Sequence, residues 1–346
     1  MKKLGTFRKI VFWVNALVAL LLVISFVLPY LPPKSFPTLS LLSLGVSPLI
    51  LVNVIFVVYW LLQWRRQMWL SAIILFFAYF HFNPFFEFSS EGDSEAYNHT
   101  LTVLSFNVRL FNAYEEKPSE DVLTRFAELI SQEQPDVICV QEYYRKSPIS
   151  ISGYPYQYTR FKDDKANLGH AIFSKYPLIN TGAFDFTDSY NNVLFADVLK
   201  AEDTVRVYNL HLQSLGISPK MEALQEGNKE RLRKRLARSF IQQQAQVDFV
   251  RDHKKNVGHP VILCGDFNNT PFSYTYHKLQ QGFRDAFVER GSGLGTTFKF
   301  DGYPMRIDYI LASEELDVLN FKTISNSFSD HYPISATVGW DLKPTD

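Results

Sequence analysis

Cysteine is scarce in this chain, with two residues among 346, Cys139 and Cys264. This scarcity excludes a small disulfide-rich secreted scaffold, and the lack of paired Cys or His spacings argues against a zinc site. Both cysteines lie inside apolar, strand-like runs, VICVQ and VILCGDF. Such a position is typical of a small buried core residue, and a disulfide would require that the two runs be neighbours.

Acidic residues are almost missing from the first quarter of the chain. Residues 1–88 contain one acid, Glu87, and seven basic side chains, although the whole chain has 35 residues of each sign. A disordered or low-complexity chain is excluded, because 47% of the residues are hydrophobic and only 20% are charged. The length fits about two domain-sized units, so we predict two segments of different chemistry.

Long charge-free apolar runs fill the first quarter, at about 10–31, 39–62 and 68–86. Each is near the roughly 20 residues that a helix needs to cross the hydrocarbon core of a bilayer. We therefore predict a transmembrane segment of three helices within residues 1–88. A cleaved signal peptide is the alternative for the first run, but prolines from Pro29 to Pro33 replace a small-residue cleavage site, and two more runs follow. The third run could instead lie in the membrane interface.

Basic residues predict how these helices are oriented. Four basic residues precede the first run: Lys2, Lys3, Arg8 and Lys9. Arg65 and Arg66 separate the second run from the third, whereas the loop between the first two runs has only Lys34. The positive-inside rule then places the N-terminus in the cytoplasm. Three spans would put everything after about residue 88 outside it, so we predict an integral protein of the inner or plasma membrane with an extracytoplasmic domain. The polar residues 89–100 are predicted to form a linker.

The second unit, residues 101–340, has the pattern of an α/β protein. Short apolar or alternating runs follow one another there, separated by helical patterns and turns. Two of these runs flank Ala201–Thr204, a predicted hairpin, so the sheet is not purely parallel. Basic residues concentrate in Lys220–Arg238, which fits either a solvated helix face or a basic flap over an anionic substrate or lipid surface.

Polar residues stand at the ends of several of these apolar runs: Asn107, Glu142, His211, Asp266, Asn268, Asp308, Asp330 and His331. Singly, each could be a turn residue, a surface acid, a local cap or a satisfied core histidine. Eight separate local explanations, all at strand ends of one domain, are less plausible than one shared site. Strand ends are where α/β proteins gather their sites, and hard oxygen ligands suit Mg²⁺ or Mn²⁺. Two histidines beside carboxylates indicate proton chemistry.

Five motifs carry a resemblance to a known family. QPDVICVQE, NLHLQS, GDFNNTP, RIDYI and SDHYP occur in that order between residues 101 and 339. Together they resemble the endonuclease/exonuclease/phosphatase superfamily, which includes deoxyribonucleases, sphingomyelinases and inositol phosphatases. The resemblance implies a four-layer α/β/β/α sandwich that cleaves phosphoester bonds with a divalent metal.

The same resemblance implies a metal site of oxygen ligands. Glu142 resembles the family's main metal ligand, and Asn107 and Asp330 match positions close to the ion. The expected cofactor is Mg²⁺ or Mn²⁺. Many repair nucleases of the family have an acid two places after the first asparagine, where this chain has Arg109. That leaves a second metal-binding carboxylate in doubt, and Arg109 could hold a phosphate or pair at the surface.

The catalytic roles implied by the resemblance fall on five residues. Asp266 resembles the residue that orients or deprotonates the attacking water, and Asn268 a donor to the phosphoryl oxygens. His331 is similar to a site histidine oriented by Asp308. His211 matches the histidine that contacts the scissile phosphate or the leaving group. The resemblance leaves open whether Asp266 or His331 is the base.

The sequence thus predicts a membrane-anchored, divalent-metal-dependent phosphoester hydrolase that acts on lipid headgroups or small phosphodiesters. After residue 88 the chain has 34 acidic and 28 basic residues, so it lacks the basic surface that binds nucleic acid nonspecifically. The alternative is an extracytoplasmic nuclease that binds DNA or RNA through Lys220–Arg238. A non-catalytic scaffold would show a broken site, and no site position is broken. Besides the phosphoester substrate and the bilayer, nothing indicates a protein partner. We expect His170 to be structural.

Overall fold

The computed structural model describes residues 5–82, 86–115, 121–187, 189–216, 229–301 and 303–342. The N-terminal part is helical, and the rest of the described chain is built around two six-stranded sheets. Lys2 and Lys3 lie outside the described residues, as does the first part of the predicted basic run, residues 220–228.

The N-terminal helices are α1 (Thr6–Ser25), α2 (Pro37–Ser40), α3 (Val46–Leu62) and α4 (Met68–His81). Two segments, Thr6–Tyr30 and Pro37–Leu62, are long and apolar enough to cross a membrane. Only 22% of the most apolar stretch of each is buried, whereas the core helix of a soluble protein is mostly buried. These two helices are compatible with a membrane anchor.

The prediction of a third full-length span is wrong. The apolar run at 68–86 gives a helix of only 14 residues, α4, about 21 Å long at 1.5 Å per residue. That is shorter than the roughly 30 Å of hydrocarbon in a bilayer. Helical geometry stops at Phe82, which is extended with φ −94° and ψ 143°.

A buried polar network joins the three longer N-terminal helices. Asn15 of α1 donates through Nδ2 to Ser71 Oγ of α4 at 2.6 Å, and Ser71 donates to Asn53 Oδ1 of α3 at 2.8 Å. Trp60 Nε1 donates to Asn15 Oδ1 at 3.0 Å. All four side chains are fully buried. Hydrogen bonds of this kind fix which faces of apolar helices meet, since the apolar surface alone does not specify them.

The strands, in chain order, are β1 (Glu87–Phe88), β2 (Tyr97–Asn107), β3 (Val137–Tyr144), β4 (Tyr156–Phe161), β5 (Leu168–Ser174), β6 (Leu178–Asp185), β7 (Asn192–Lys200), β8 (Asp203–His211), β9 (Val261–Asp266), β10 (Phe283–Asp285), β11 (Ser292–Gly293), β12 (Phe298–Phe300), β13 (Tyr303–Met305), β14 (Asp308–Ser313), β15 (Asp317–Thr323) and β16 (Ile334–Leu342). The first sheet has the order β15-β16-β2-β3-β5-β4, and the second has the order β10-β14-β9-β8-β7-β6. The remaining helices are α5 (Val122–Glu133), α6 (Lys229–Lys254), α7 (Tyr274–Gln280) and α8 (Ala286–Arg290).

Two helical layers enclose the two sheets. The layer between the sheets includes Val103, Ile172, Val207 and Ile262. Phe126 of α5 packs on the outer face of the first sheet, and Val247 of α6 packs on the outer face of the second. The α/β prediction and the four-layer α/β/β/α sandwich are therefore confirmed. The predicted hairpin at Ala201–Thr204 joins antiparallel β7 and β8.

Cys139 and Cys264 lie in the layer between the sheets, and both are free and completely buried. Burial, together with the neighbouring Cys264 thiol, raises the pKa of Cys139 well above its usual value. Both cysteines act as core residues, as their apolar surroundings in the sequence predict.

The segment predicted as a linker packs on the sandwich. Strand β1 pairs with β11, and Gly92 N–H donates to Leu319 O at 2.7 Å. Strand β2 begins at Tyr97, four residues before the predicted start of the domain. The helices also contact the sandwich: Thr270 Oγ1 donates to Ser43 O at 3.0 Å, and the rings of Phe82 and Phe272 are 4.9 Å apart. The ends of α1 and α4 and the start of α3 therefore all lie on the sandwich side.

One buried ion pair predicts how the stability of the sandwich depends on pH. Arg206 donates to both carboxylate oxygens of Asp197 at 2.6 and 2.7 Å. Burial alone would raise the pKa of Asp197, but hydrogen bonds from Arg206, Asn180 and His259 outweigh it and lower the pKa. The folded-state pKa thus lies below the unfolded value of about 3.9. The pair therefore stabilises the fold fully above that pH, and its contribution is lost as the pH falls through the folded-state pKa.

We expect Asp197→Asn to lower the melting temperature strongly at pH 7, because it leaves the Arg206 guanidinium buried without its counter-charge. The difference from the wild type should shrink as the pH is lowered to 3. Thermal unfolding in detergent solution at both pH values measures this. Glu202→Gln, on the exposed hairpin between β7 and β8, is the control and should match the wild type at both. An equal loss for Asp197→Asn at both pH values would contradict the prediction.

Candidate active site

The strand register brings predicted site residues to one edge of the two sheets. Asn107 ends β2, next to Glu142 near the end of the parallel strand β3. His211 ends β8 and pairs with Asp266, which ends the parallel strand β9. Asp308 begins the antiparallel strand β14 directly opposite Asp266. Side chains that are far apart in the sequence therefore become neighbours.

Unusual backbone geometry fixes the direction of the carboxylates. Gly265 has φ +134°, and a Cβ at this position would lie 2.0 Å from Leu210 O. Only glycine fits there, which explains the glycine before Asp266. Glu142 has φ +53° beside a β-bulge of β3, and Asn268 has φ +51°. Positive φ values are uncommon outside glycine, and such strain concentrates at functional sites.

His331 and Asp308 form a buried pair. His331 Nδ1 lies 3.1 and 3.0 Å from the two oxygens of Asp308, and His331 Nε2 lies 3.7 Å from Asp266 Oδ2. Burial alone would lower the pKa of His331, but the charges of Asp308 and Asp266 outweigh it and raise the pKa to about 10. His331 is therefore a protonated donor whose ring is oriented by Asp308.

Asp266 and Glu142 converge on the amide of Asn107. Asn107 Nδ2 lies 3.0 Å from Asp266 Oδ2 and 3.3 Å from Glu142 Oε1, and Asp266 Oδ1 accepts from Asn268 N–H at 2.7 Å. Burial, partly offset by the charge of His331, raises the pKa of Asp266 to about 7. Burial also raises the pKa of Glu142. Two acids thus share a small volume where their charges are poorly solvated.

Asp330 lies at the rim of this cluster. Its Oδ1 accepts from Ser329 Oγ at 3.2 Å, and its Oδ2 lies 3.6 Å from Arg109 Nε. Arg109 also pairs with Glu115 at 2.9 Å. The charge of Asp330 contributes to the raised pKa of Glu142. Of the two roles that the sequence leaves open for Arg109, the structure shows ion pairing.

His211 is held from behind by a second histidine, His170. His170 Nε2 lies 2.9 Å from His211 Nδ1, and both rings are buried. On the other side, His211 Nε2 lies 3.6 Å from Asp266 Oδ2 and 3.8 Å from Glu142 Oε1. Burial lowers the pKa of His170 to about 3 and that of His211 well below its usual value, so both rings are neutral.

The hydrogen bond between these rings indicates a tautomer for each. His170 Nδ1 has no hydrogen-bond partner among the described residues. A buried nitrogen without a partner is tolerated better as an acceptor than as an N–H donor. His170 then donates from Nε2 to His211 Nδ1, which leaves His211 with its own proton on Nε2. That proton points toward the carboxylate cluster.

A cavity of about 860 Å³ opens over the cluster. The predicted residues in its wall are Glu142, Asp266, Asn268, Asp330 and His331, whereas Asn107, His211 and Asp308 lie behind them. The Asn268 side chain donates to Leu212 O at 3.0 Å, so the main chain holds it beside Asp266. The cavity has the size of a small-molecule site.

The donor set fits a divalent cation. The carboxylates of Glu142 and Asp266 each have an oxygen within 3.3 Å of the Asn107 amide nitrogen. Potential ligand atoms of Asp266, Asp308 and His331 also lie within 4.8 Å of one another, but Asp308 and His331 are paired with each other, which leaves the carboxylates of Glu142 and Asp266 for a cation. Burial disfavours the charged forms of Glu142 and Asp266 and so raises both pKa values. A bound cation would stabilise these charged forms. Oxygen donors of this kind suit Mg²⁺ or Mn²⁺.

A polar network beneath the site was not predicted. Gln141 Nε2 donates to Asn209 Oδ1 at 2.7 Å and to Ser105 Oγ at 3.1 Å. Asn209 Nδ2 donates to the carbonyls of Val140 and Ala171, each at 3.0 Å, so this network ties the two sheets together. The sequence signal for this network is Asn209, an amide inside an apolar run two residues before His211.

Stacked sheets with carboxylates and histidines at their shared edge define an α/β phosphoester hydrolase. Residues 104–331 match the model of the Endonuclease/Exonuclease/phosphatase family, and the chain belongs to this family. Residues 8–85 match a domain of unknown function (DUF8431). Comparison with curated proteins finds no match.

Solved structures share the fold. The human Nocturnin catalytic domain with bound sulfate is 19% identical with a TM-score of 0.52, over 69% of this chain and 94% of that one. A mannosyl-6-phosphatase of Bacteroides thetaiotaomicron is 17% identical with a TM-score of 0.51, over 69% and 100%. A family protein of Bacteroides vulgatus is 17% identical with a TM-score of 0.52, over 71% and 100%. At these identities the likeness shows the fold alone.

Proposed function

We propose that the protein is a membrane-anchored, divalent-metal-dependent phosphoester hydrolase with an extracytoplasmic catalytic domain. The observation that carries the proposal is the cluster of Glu142, Asp266 and His331 in the wall of a cavity, with Asp308 paired to His331 behind it. Such a cluster suits a reaction that spreads negative charge over phosphoryl oxygens, because the cation and the protonated histidine both face that charge.

Glu142 would hold the cation, with Asn107 and Asp330 beside it. When bound, the ion would polarise the phosphoryl oxygens and lower the barrier to attack on phosphorus. The Asn107 amide oxygen now accepts Arg109 N–H at 3.0 Å, and exchanging the two ends of the amide would turn that oxygen toward the carboxylates.

The remaining residues divide the work of proton transfer and positioning. His331, with Asp308 on Nδ1, donates from Nε2 toward the phosphoryl group. Asp266 is then the group left to orient the attacking water and take its proton. Asn268 donates to the phosphoryl oxygens. His211, with its proton on Nε2, donates toward the scissile phosphate or the leaving oxygen.

The tautomer argument predicts a positioning role for His170, which the sequence alone favours as structural. We expect His170→Phe to lower turnover of p-nitrophenyl esters of phosphate about tenfold, because His211 is then free to place its proton on Nδ1. His170→Gln keeps an N–H donor and should recover most of the activity. Steady-state assays with melting temperatures as a control distinguish the roles. Equal turnover by the two variants would contradict it.

Charge at the two ends of the helices supports the proposed orientation. Arg8 and Lys9 begin α1, and Arg65 and Arg66 lie between α3 and α4. Both pairs lie at the end of the bundle away from the sandwich. The positive-inside rule puts that end in the cytoplasm and the sandwich outside. Although α4 is short, its end at His81 stacks on Phe26 after α1, with ring centroids 4.8 Å apart. Because α4 starts near Arg66 and ends on the sandwich side, the proposed orientation requires this short helix to make the third crossing.

A reporter fused after residue 95 tests the orientation. We expect alkaline phosphatase, which requires an extracytoplasmic location, to be active in this fusion, and green fluorescent protein to be dark when exported through the same pathway. A fusion after Arg66 is the control and should give the opposite pattern. A fluorescent fusion after residue 95 would place the domain in the cytoplasm.

Hydrolysis by full-length protein in liposomes tests the function. Sphingomyelin, phosphatidic acid and plasmid DNA are offered in one buffer with Mg²⁺ or Mn²⁺, and His331→Ala serves as the inactive control. We expect metal-dependent release of phosphate or phosphocholine that His331→Ala abolishes. Cleavage of DNA alone would identify a tethered nuclease. Activity that survives chelation or His331→Ala would refute the proposed site.

A further inference from the structure

The cavity over the catalytic cluster has a wall made by the membrane segment. Four apolar residues just before and at the start of α3 line it: Leu44, Pro48, Leu51 and Val52. Apolar residues of the sandwich line it as well: Leu215, Phe298, Phe300, Met305 and Ile307. One cavity therefore joins a charged cluster to an extended apolar surface, to which both parts of the chain contribute.

The position of these residues along α3 sets their depth. Helix α3 starts at Val46 on the sandwich side, and Val52 lies six residues further on, about 9 Å along the helix axis. This helix is part of Pro37–Leu62, a segment long and apolar enough to cross a membrane. In the proposed orientation, Leu51 and Val52 lie near the depth at which headgroups give way to hydrocarbon chains. Leu51 is more than half exposed, at 53%.

We propose that the substrate is an amphiphilic phosphoester, a lipid of the same membrane, whose hydrocarbon chain lies along α3 against Leu51 and Val52. This inference rests on the proposed function and names its substrate class. The phosphoryl group lies at Glu142, Asp266 and His331, where a water oxygen bonds to phosphorus as the ester P–O bond breaks. Asp266 takes the proton that the water loses, and the leaving oxygen takes a proton from Nε2 of the protonated His331.

The chemistry of the walls favours such a substrate over a water-soluble one. A sugar phosphate or a nucleic-acid strand would leave the apolar wall in contact with water, which costs free energy in proportion to the apolar area. A hydrocarbon chain covers this wall. Each methylene that it buries strengthens binding roughly fourfold, which corresponds to about 0.8 kcal/mol.

Inhibition by n-alkyl phosphates of increasing length measures this contribution. The full-length protein is held in amphipol, which contains no phosphoester, and hydrolysis of bis(p-nitrophenyl) phosphate with Mn²⁺ reports activity. Butyl, hexyl and octyl phosphate compete at concentrations below micelle formation. We expect the inhibition constant of the wild type to fall at least tenfold from butyl to octyl phosphate.

Val52→Trp fills the apolar wall, so its inhibition constants should change less than twofold across the series. Val58→Trp adds the same bulk to α3 at a half-exposed position outside the cavity wall and should match the wild type. Leu51→Ala, which shortens the wall without adding bulk, should give an intermediate slope. It also keeps the test decisive where Val52→Trp fails to fold, because an unchanged slope in a folded Leu51→Ala protein counts against the chain path.

Three results would overturn the inference. A flat series in the wild type would show that no hydrocarbon chain is bound. Equal slopes in Val52→Trp and the wild type would show that the chain does not follow α3. Absence of any metal-dependent turnover of the chromogenic ester by the wild type would refute the proposed function itself, and this failure is distinguishable because it precedes any inhibition measurement.

Discussion

Glu142→Gln is expected to lower metal-dependent turnover about 10³-fold while leaving the fold intact. The substitution keeps the shape of the side chain and its contact with Asn107 but removes the negative charge that would hold the cation. It should also weaken Mn²⁺ binding, which isothermal titration calorimetry measures independently of activity. Loss of turnover with unchanged metal affinity would contradict the assignment of Glu142 as a ligand.

The same variant has an expected effect on stability in the opposite direction. Because burial raises the pKa of Glu142, its charge is unfavourable in the metal-free protein, and glutamine removes that cost. In the presence of a chelator, Glu142→Gln should therefore melt at or above the wild-type temperature. With Mn²⁺ the order should reverse, because only the wild type gains the stability of the bound ion. Glu133→Gln, on the last turn of α5, is the control and should leave both turnover and metal response unchanged.

Arg306→Met is expected to lower the free energy of unfolding by about 3–5 kcal/mol, since it leaves the Asp285 carboxylate buried without its counter-charge. Arg306 Nη1 donates to Asp285 Oδ2 at 2.6 Å, and the two side chains are 5% and 1% exposed. Burial alone would lower the pKa of Arg306, but the charge of Asp285 outweighs it and raises the pKa. The guanidinium also lies over Phe287 and Tyr309, at 4.7 and 4.8 Å from the ring centroids.

A double variant separates the ion pair from the packing. Asp285 also accepts from Phe287 N–H through Oδ1 and from Tyr276 Oη through Oδ2. Asparagine can still accept from Phe287 N–H and can donate through Nδ2 to Tyr276 Oη, without a charge. Arg306→Met with Asp285→Asn should therefore recover much of the lost stability, and chemical unfolding of all four proteins measures the coupling. Lys255→Met breaks a fully exposed pair and should have no measurable effect. Additive losses in the double variant would show that the charges are not coupled.

The sequence predicts the sandwich and the edge where the polar residues meet, because both follow from local patterns. Apolar runs predict the strands, and a polar residue after such a run predicts a side chain at a sheet edge. The register of β8, β9 and β14 then brings His211, Asp266 and Asp308 together. The separate sequence motifs do not indicate which residues of these strands pair with one another. The register depends on the pairing of β8 with β9 and of β9 with β14, which joins residues 42 to 55 positions apart in the sequence.

Other features depend on tertiary contacts that leave no local signal. The short α4 follows an apolar run of sufficient length, so composition alone predicts a span there. His170 lies in the apolar strand β5 like any core residue, and only the packing of the opposite sheet brings His211 of β8 against it. The apolar wall of the cavity joins residues near position 50 to residues near position 300. No periodicity within either segment indicates that they meet.

The place of β16 in the first sheet has a consequence for biosynthesis. This strand comes last among the described strands, yet it lies inside the sheet between β15 and β2, and Asp330 and His331 shortly precede it. A nascent chain that has not reached residue 330 therefore lacks an inner strand of one sheet and two residues of the proposed catalytic cluster. We therefore expect a chain truncated before residue 330 to be inactive on either side of the membrane.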